Sequence, residues 1–247
     1  MKRKLDWRLR SLGCDVLFED DALLVLDKPP NLLVLPDRFN NALPNLYTTL
    51  CEELGSLFVV HRIDKETSGV ILFAKTAEAH AQLNTQFEGR AVEKVYQAIV
   101  LGEPESRAGT IDLPLSESSA GTMKVDRKKG KESVTDYTVL EQFRGYAWVE
   151  LRPKTGRQHQ IRVHLQAMGT PIVGDSLYGN GRGFYLSMIK PGYRNAGEEK
   201  PLVKRTALHA ASLTFQHPVH GERTTFTSPL PKDLRSALKY LRKFRSL

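Results

Sequence analysis

An α+β fold is what the sequence permits, and three observations carry it. Short runs with strand-like apolar patterning are numerous, stretches with helical periodicity and caps are few, and 40% hydrophobic residues suffice for a full core. Residues 15–20 and 22–26 lie either side of the acidic pair Asp20-Asp21 and read as a hairpin. Asn45 is placed to cap a short helix with Leu46, Leu50 and Leu54 on one face and Gly55 as its stop. Thr76 is placed to cap another, with Leu83 and Phe87 at i,i+4 and Gly89 as its stop. Residues 92–101 read as a strand whose alternation puts Val92, Lys94, Tyr96, Ala98 and Val100 on one face. Residues 103–132 read as a long polar loop. Residues 134–140 and 146–151 read as paired strands around Gly145. Residues 158–168 fit a strand or a helix, and Gly169 and Pro171 just beyond favour the helix. The Gly- and Pro-rich residues 179–205 read as a second long loop with no assigned role. A hairpin around residues 217–221 follows, then a helix with Leu234, Leu238 and Leu241 at i,i+4,i+7.

The chain has 247 residues and a formal net charge of +8, which points to a polyanionic partner or surface. Its two cysteines, Cys14 and Cys51, have neither disulfide-framework nor zinc spacing, as expected in a reducing compartment. No apolar run approaches a membrane span, and the basic start of the chain runs into no apolar signal region. A cytoplasmic protein is expected. Residues 1–13 read as a basic arm and residues 14–247 as one domain. Lys124, Arg127, Lys128, Lys129 and Lys131 cluster around Gly130, either as a nucleic-acid finger or as a solvated loop. The spacing is not that of a phosphate-binding P-loop, because Val125 stands where the first glycine is required. The seven histidines form no metal-ligand pattern.

The stretch that organises the chain is residues 59–74. Val59-Val60 leads into His61-Arg62-Ile63-Asp64-Lys65-Glu66, then Thr67-Ser68-Gly69, then five apolar residues from Val70 to Ala74. Two apolar runs bounding a charged break read as a strand and its return, with a loop at one rim. Asp64 is held there between cationic Arg62 and Lys65, which favour its ionised form. Spacing alone leaves it open between a placed carboxylate and an ordinary turn residue.

The pattern His61-Arg62-Ile63-Asp64-x-x-Thr67-Ser68-Gly69 resembles the active-site signature of the RluA-type pseudouridine synthases, with Ile63 in place of the usual Leu. Leu26-Asp27-Lys28-Pro29-Pro30 resembles the family's first motif, although Asn31 stands where Gly is usual. Asn tolerates positive φ, so the turn can survive. Residues 94–100 resemble the tyrosine strand, and residues 155–165, Thr-Gly-Arg-Gln-His-Gln-Ile-Arg-Val-His-Leu, resemble the arginine motif. Residues 171–175, then Leu208-His209-Ala210 with Phe215-Gln216-His217-Pro218, complete the series in family order.

The resemblance implies a long mixed, mostly antiparallel sheet flanked by helices and loops around a central cleft. It implies isomerisation of uridine to pseudouridine in ribosomal or transfer RNA, without cofactor or metal, by a protein expected to be a monomer. Asp64 matches the catalytic carboxylate, Tyr96 the active-site tyrosine that stacks on the base and accepts a proton, and Arg162 the arginine that keeps the carboxylate ionised. Ile161 and Leu208 match apolar residues lining the base pocket. Arg62 matches the arginine that takes part in base extrusion, and His61 contacts RNA or braces the loop. Lys124, Lys128 and Lys129 are the expected phosphate contacts of the basic cluster. The family's separate N-terminal RNA-binding module is not expected. Two other readings stay open: an RNA-binding or RNA-folding factor without catalysis, and a hydrolase using Asp64 with Glu66 as a second carboxylate.

Overall fold

The computed structural model describes residues 2–37, 40, 42–119, 121–194 and 197–247. The chain divides into two compact units, where the sequence reads as one domain over residues 14–247. One comprises Met1–Lys94 and Ala210–Pro229, the other Val95–His209 and Leu230–Leu247. The fold is α+β and its strand pairs are mostly antiparallel, as the resemblance implies.

In the first unit, helix α1 (Lys2–Ser11) precedes the hairpin of β1 (Asp15–Glu19) and β2 (Leu23–Lys28). The Asp20 carboxylate closes that hairpin by accepting the Ala22 and Leu23 N–H groups at 2.9 and 2.7 Å. Helix α2 (Leu46–Leu54) starts where Asn45 accepts the Thr48 N–H, and Gly55 ends it. β3 (Phe58–Val59) and β2 both pair antiparallel with β4 (Ser68–Ala74), whose seven residues are all buried. Helix α3 (Ala77–Glu88) follows, capped by Thr76 as its sequence demands. Val70, Leu72, Leu23, Val25, Leu83 and Phe215 share one apolar cluster. β11 (Leu208–Gln216) belongs to this unit from Ala210 onward, and its far part pairs with β12 (Arg223–Thr227).

Residues 2–11 are helical, not an arm. Leu9 is fully buried, and Arg8 reaches Glu52 and Glu53 of α2 at 2.6 and 2.9 Å. Leu5, Leu9 and Leu12 stand at i,i+4,i+7, a helical period that five basic residues obscure.

β4 also explains the glycine of the Thr-Ser-Gly turn. Gly69 has φ 114°, and a Cβ there would run into the backbone of Ala210 in β11, including its nitrogen at 2.8 Å. Gly69→Ala is therefore expected to cost about 3 kcal/mol or more in urea unfolding, from positive-φ strain and forced separation of two backbones. A cost below about 1 kcal/mol would show that β11 yields easily.

In the second unit, β5 (Glu93–Leu101, from Val95), β10 (Tyr146–Pro153), β9 (Val134–Phe143) and β6 (Ala108–Asp112) lie side by side in that order. Helix α4 (Gln160–Ala167) and helix α5 (Lys232–Phe244) complete it. Leu151, Val149, Ile161, Leu165, Leu234 and Leu238 belong to its core. The loop expected over residues 103–132 holds three short strands. β6 extends the sheet at β9, and β7 (Leu115–Glu117) pairs with β8 (Met123–Val125) in a separate hairpin. In β6 only Ile111 is buried, so no apolar alternation marked it as a strand. Residues 179–205 are packed inward at Phe184, Ile189 and Val203, and Phe184 and Val203 form a bridge.

Candidate active site

Asp64 lies in the connection between β3 and β4, where the register Val59↔Phe73 leaves residues 60–67 to turn the chain. The Thr67 N–H donates to the Asp64 carbonyl at 3.1 Å, closing a tight turn that begins at Asp64 itself. Ile63 is buried beneath it. The turn is clamped by Lys28, which is 0% exposed at the end of β2. Its ammonium donates to the carbonyls of Pro29, Leu32 and Lys65 at 2.8, 2.9 and 3.1 Å. A buried ammonium requires such acceptors, and here they fix the residue next to Asp64. The sequence reading assigned Lys28 no role; a lysine ending the apolar run Leu23–Lys28 was the available signal. Asn31 takes φ 65°, so the turn usually made by glycine survives.

Arg62 is exposed, while the His61 ring is turned into its own unit. The Leu72 N–H donates to its Nε2 at 3.0 Å, and the ring stacks on Phe87 with centroids 5.1 Å apart. His61 thus braces the loop, and the RNA contact expected for it has no support in this placement. Burial, with the Lys94 ammonium adding to it, pushes the imidazole down from 6.5 to about 3. An unfolded His61 therefore binds a proton that the folded one refuses, so stability is complete above 6.5 and falls as pH drops toward 3. The expected slope from this group is about 1 kcal/mol per pH unit in that window. Urea unfolding at stepped pH checks it: His61→Gln should flatten the slope between pH 6 and about 4, and an unchanged slope would assign the loss to carboxylates.

In the second unit, Tyr96 on β5 stands opposite Leu151 of β10. Ile161 and Leu208 are buried in one apolar cluster, and Tyr96 packs against it half-buried. Arg162, next in the chain to Ile161, is only 4% exposed. Its Nε and Nη2 donate to the two Asp175 oxygens at 2.6 and 2.8 Å, a bidentate pair. Burial alone would raise the Asp175 carboxyl. The Arg162 hydrogen bonds and charge, with the Tyr178 and Leu177 N–H groups, outweigh burial and hold it below the usual carboxylate range. The Tyr178 ring lies under the guanidinium, 5.1 Å from its centroid to Cζ.

The arginine motif also builds its own support. Gln160 accepts from Thr155 Oγ1 and the Arg157 N–H, and donates to the Val134 carbonyl and Thr135 Oγ1. His164 bonds Thr135 and the Leu113 carbonyl. His159 begins α4 in the left-handed region at φ 53°. These contacts fix the end of α4 from which Arg162 projects.

The basic cluster occupies the β7–β8 hairpin and its continuation. Asp126 accepts the Lys128 and Lys129 N–H groups at 3.1 and 3.0 Å and Ser116 Oγ at 3.0 Å, which fixes the turn. Lys124, Arg127, Lys128 and Lys129 are exposed around it. One grouping that the sequence did not show is Asp20, His217 and His220, whose candidate metal-ligand atoms lie within 4.8 Å of one another. His217 Nδ1 accepts the Val219 and His220 N–H groups, so its proton is on Nε2, facing Asp20 at 2.9 Å. That tautomer makes a hydrogen-bonded brace between two turns, since a cation bound at Nε2 would require the proton on Nδ1. Among the described residues, no helix is long and apolar enough to cross a membrane.

Comparison with known proteins identifies the family. The model of the RNA pseudouridylate synthase family matches residues 22–167. The chain is 40% identical to the ribosomal large subunit pseudouridine synthase D of Xanthomonas campestris pv. campestris, over 94% of this chain and 71% of that one. It is 37% identical to the protein of that name from Pseudomonas aeruginosa, over 97% and 75%. Among solved structures, human RNA pseudouridylate synthase domain containing 4 superimposes with a TM-score of 0.73 at 28% identity, covering 98% of both chains. The chain belongs to the RNA pseudouridylate synthase family, isomerases that convert uridine in RNA to pseudouridine.

Proposed function

We propose that this isomerase acts on uridine in large-subunit ribosomal RNA, with catalytic roles for Asp64 as the essential carboxylate, for Tyr96 and for Arg162. The names of its relatives support the RNA class over transfer RNA. The observation that carries the residue assignment is the buried Arg162, locked by Asp175 beside the apolar cluster of Ile161, Leu208 and Tyr96. A guanidinium held beside apolar side chains suits a uracil ring next to an anion. In the reaction the bond from uracil nitrogen 1 to ribose carbon 1 breaks, the base turns, and carbon 5 bonds to the sugar. The proton on carbon 5 leaves, with the Tyr96 hydroxyl as its acceptor, and one returns to nitrogen 1. Asp64 stabilises or captures the intermediate. Arg62, exposed two residues away, takes part in extruding the base. The working unit is a cytoplasmic monomer.

Tritium release from RNA labelled at uracil carbon 5, with wild type and Asp64→Ala side by side, tests this reading. Release from the large-subunit fraction that depends on Asp64 is expected. Release from transfer RNA alone would move the target, and release in both proteins would remove Asp64 from the chemistry. Lys124, Lys128 and Lys129 are assigned to phosphate. Replacing all three with Ala should lower the slope of log affinity against log salt by about 2, since each single-strand phosphate contact contributes about 0.7. An unchanged slope would leave the hairpin solvated.

A further inference from the structure

Among the described residues the β7–β8 hairpin forms a two-stranded sheet of its own, extended by a bridge from Leu115 to Lys131, and so small a sheet is marginal alone. Its position is set by what it docks on. Leu115 belongs to a small cluster with Val163 of α4 and Tyr178, against which Met123 and Val125 pack. Tyr178 is the shared piece. Its hydroxyl accepts the Met123 N–H at 2.9 Å and bonds His159 Nδ1 at 2.9 Å, at the first turn of α4. Its ring lies under the Arg162 guanidinium, and its N–H is held at 3.0 Å by the same Asp175 oxygen that takes Arg162 Nη2. One buried side chain is therefore committed at its tip to the basic hairpin and along its face to the active-site arginine.

We propose that Tyr178 is a positioning residue that ties the basic β7–β8 hairpin to Arg162, so that RNA seated on the hairpin sets the orientation of the guanidinium. This rests on the roles given above to Arg162 and to the hairpin lysines. The hydroxyl transmits the position of the hairpin and the ring transmits it to Arg162. A displaced Met123 pulls the phenol, and the guanidinium follows the ring it covers.

Tyr178→Phe keeps the ring and its contact with Arg162 but removes both tip bonds. A cycle with Lys124, Lys128 and Lys129 neutralised to Ala reads the coupling as tritium release on saturating RNA. In the native hairpin background, Tyr178→Phe is expected to lower kcat about tenfold with KM changed less than about threefold. In the neutralised background its effect on kcat should shrink to about twofold or less. The same fold-loss in both backgrounds, or no loss in the native one, overturns the coupling, because a merely structural hydroxyl acts alike in both. If Tyr178→Phe does not fold, His159→Ala in the same cycle loosens the tip and should show smaller non-additivity of the same sign; additivity there overturns the proposal equally. An Arg162→Met protein that keeps full turnover would instead sink the active-site reading.

Discussion

Asp64→Asn is expected to lower turnover by at least about 10⁴-fold while changing RNA affinity less than about threefold. The amide has the shape of the carboxylate, and the main-chain bonds that hold the turn are untouched. Its closing bond runs from the Thr67 N–H to the main-chain carbonyl of Asp64, and Lys28 grips the carbonyl of Lys65. What the substitution removes is the negative charge, on which the capture and charge stabilisation proposed for Asp64 both depend. Single-turnover tritium release gives the rate, and anisotropy of a labelled RNA fragment gives the affinity. Parallel loss of both would move Asp64 from chemistry to RNA or loop binding.

Asp175→Ala is expected to cost about 3–5 kcal/mol in urea unfolding at pH 7, because it removes the bidentate carboxylate from a buried guanidinium. The Tyr178 and Leu177 N–H groups lose their acceptor as well. The pair Arg162→Met with Asp175→Leu should recover much of that stability and none of the turnover, since an apolar pair fills the space without an uncompensated charge. A cost under about 1 kcal/mol for Asp175→Ala would mean that Arg162 finds another anion when Asp175 is gone. Linkage adds a check on sign. The Asp175 carboxyl is depressed from 3.8 in the folded protein, so its contribution is complete above that value and is lost as pH falls through its folded pKa.

Local chemistry announced much of this structure. Asn45 and Thr76 cap the helices that they were expected to cap, and β3 and β4 bound the Asp64 loop as the apolar runs on each side of it imply. What escaped depends on partners distant in sequence or on signals diluted by charge. Helix α1 was masked by its basic residues, and β6 to β8 by their exposed polar faces. The bonds by which Lys28 reaches the Asp64 turn and Tyr178 reaches the basic hairpin were not readable, because 37 residues separate Lys28 from Lys65 and 55 separate Met123 from Tyr178. Arg162 is buried beside Asp175, 13 residues on, a pairing that helical periodicity does not show.

The clamp beneath the Asp64 turn has a consequence for which residue types that position tolerates. Three carbonyls converge on the single ammonium of Lys28, which can point one N–H at each. Arginine would bring the same charge in a planar fork, wider than the space and aimed along fixed directions in one plane. Exchange of one cation for the other would therefore preserve the charge and lose the convergence, and the two residues that are usually treated as equivalents are here opposites.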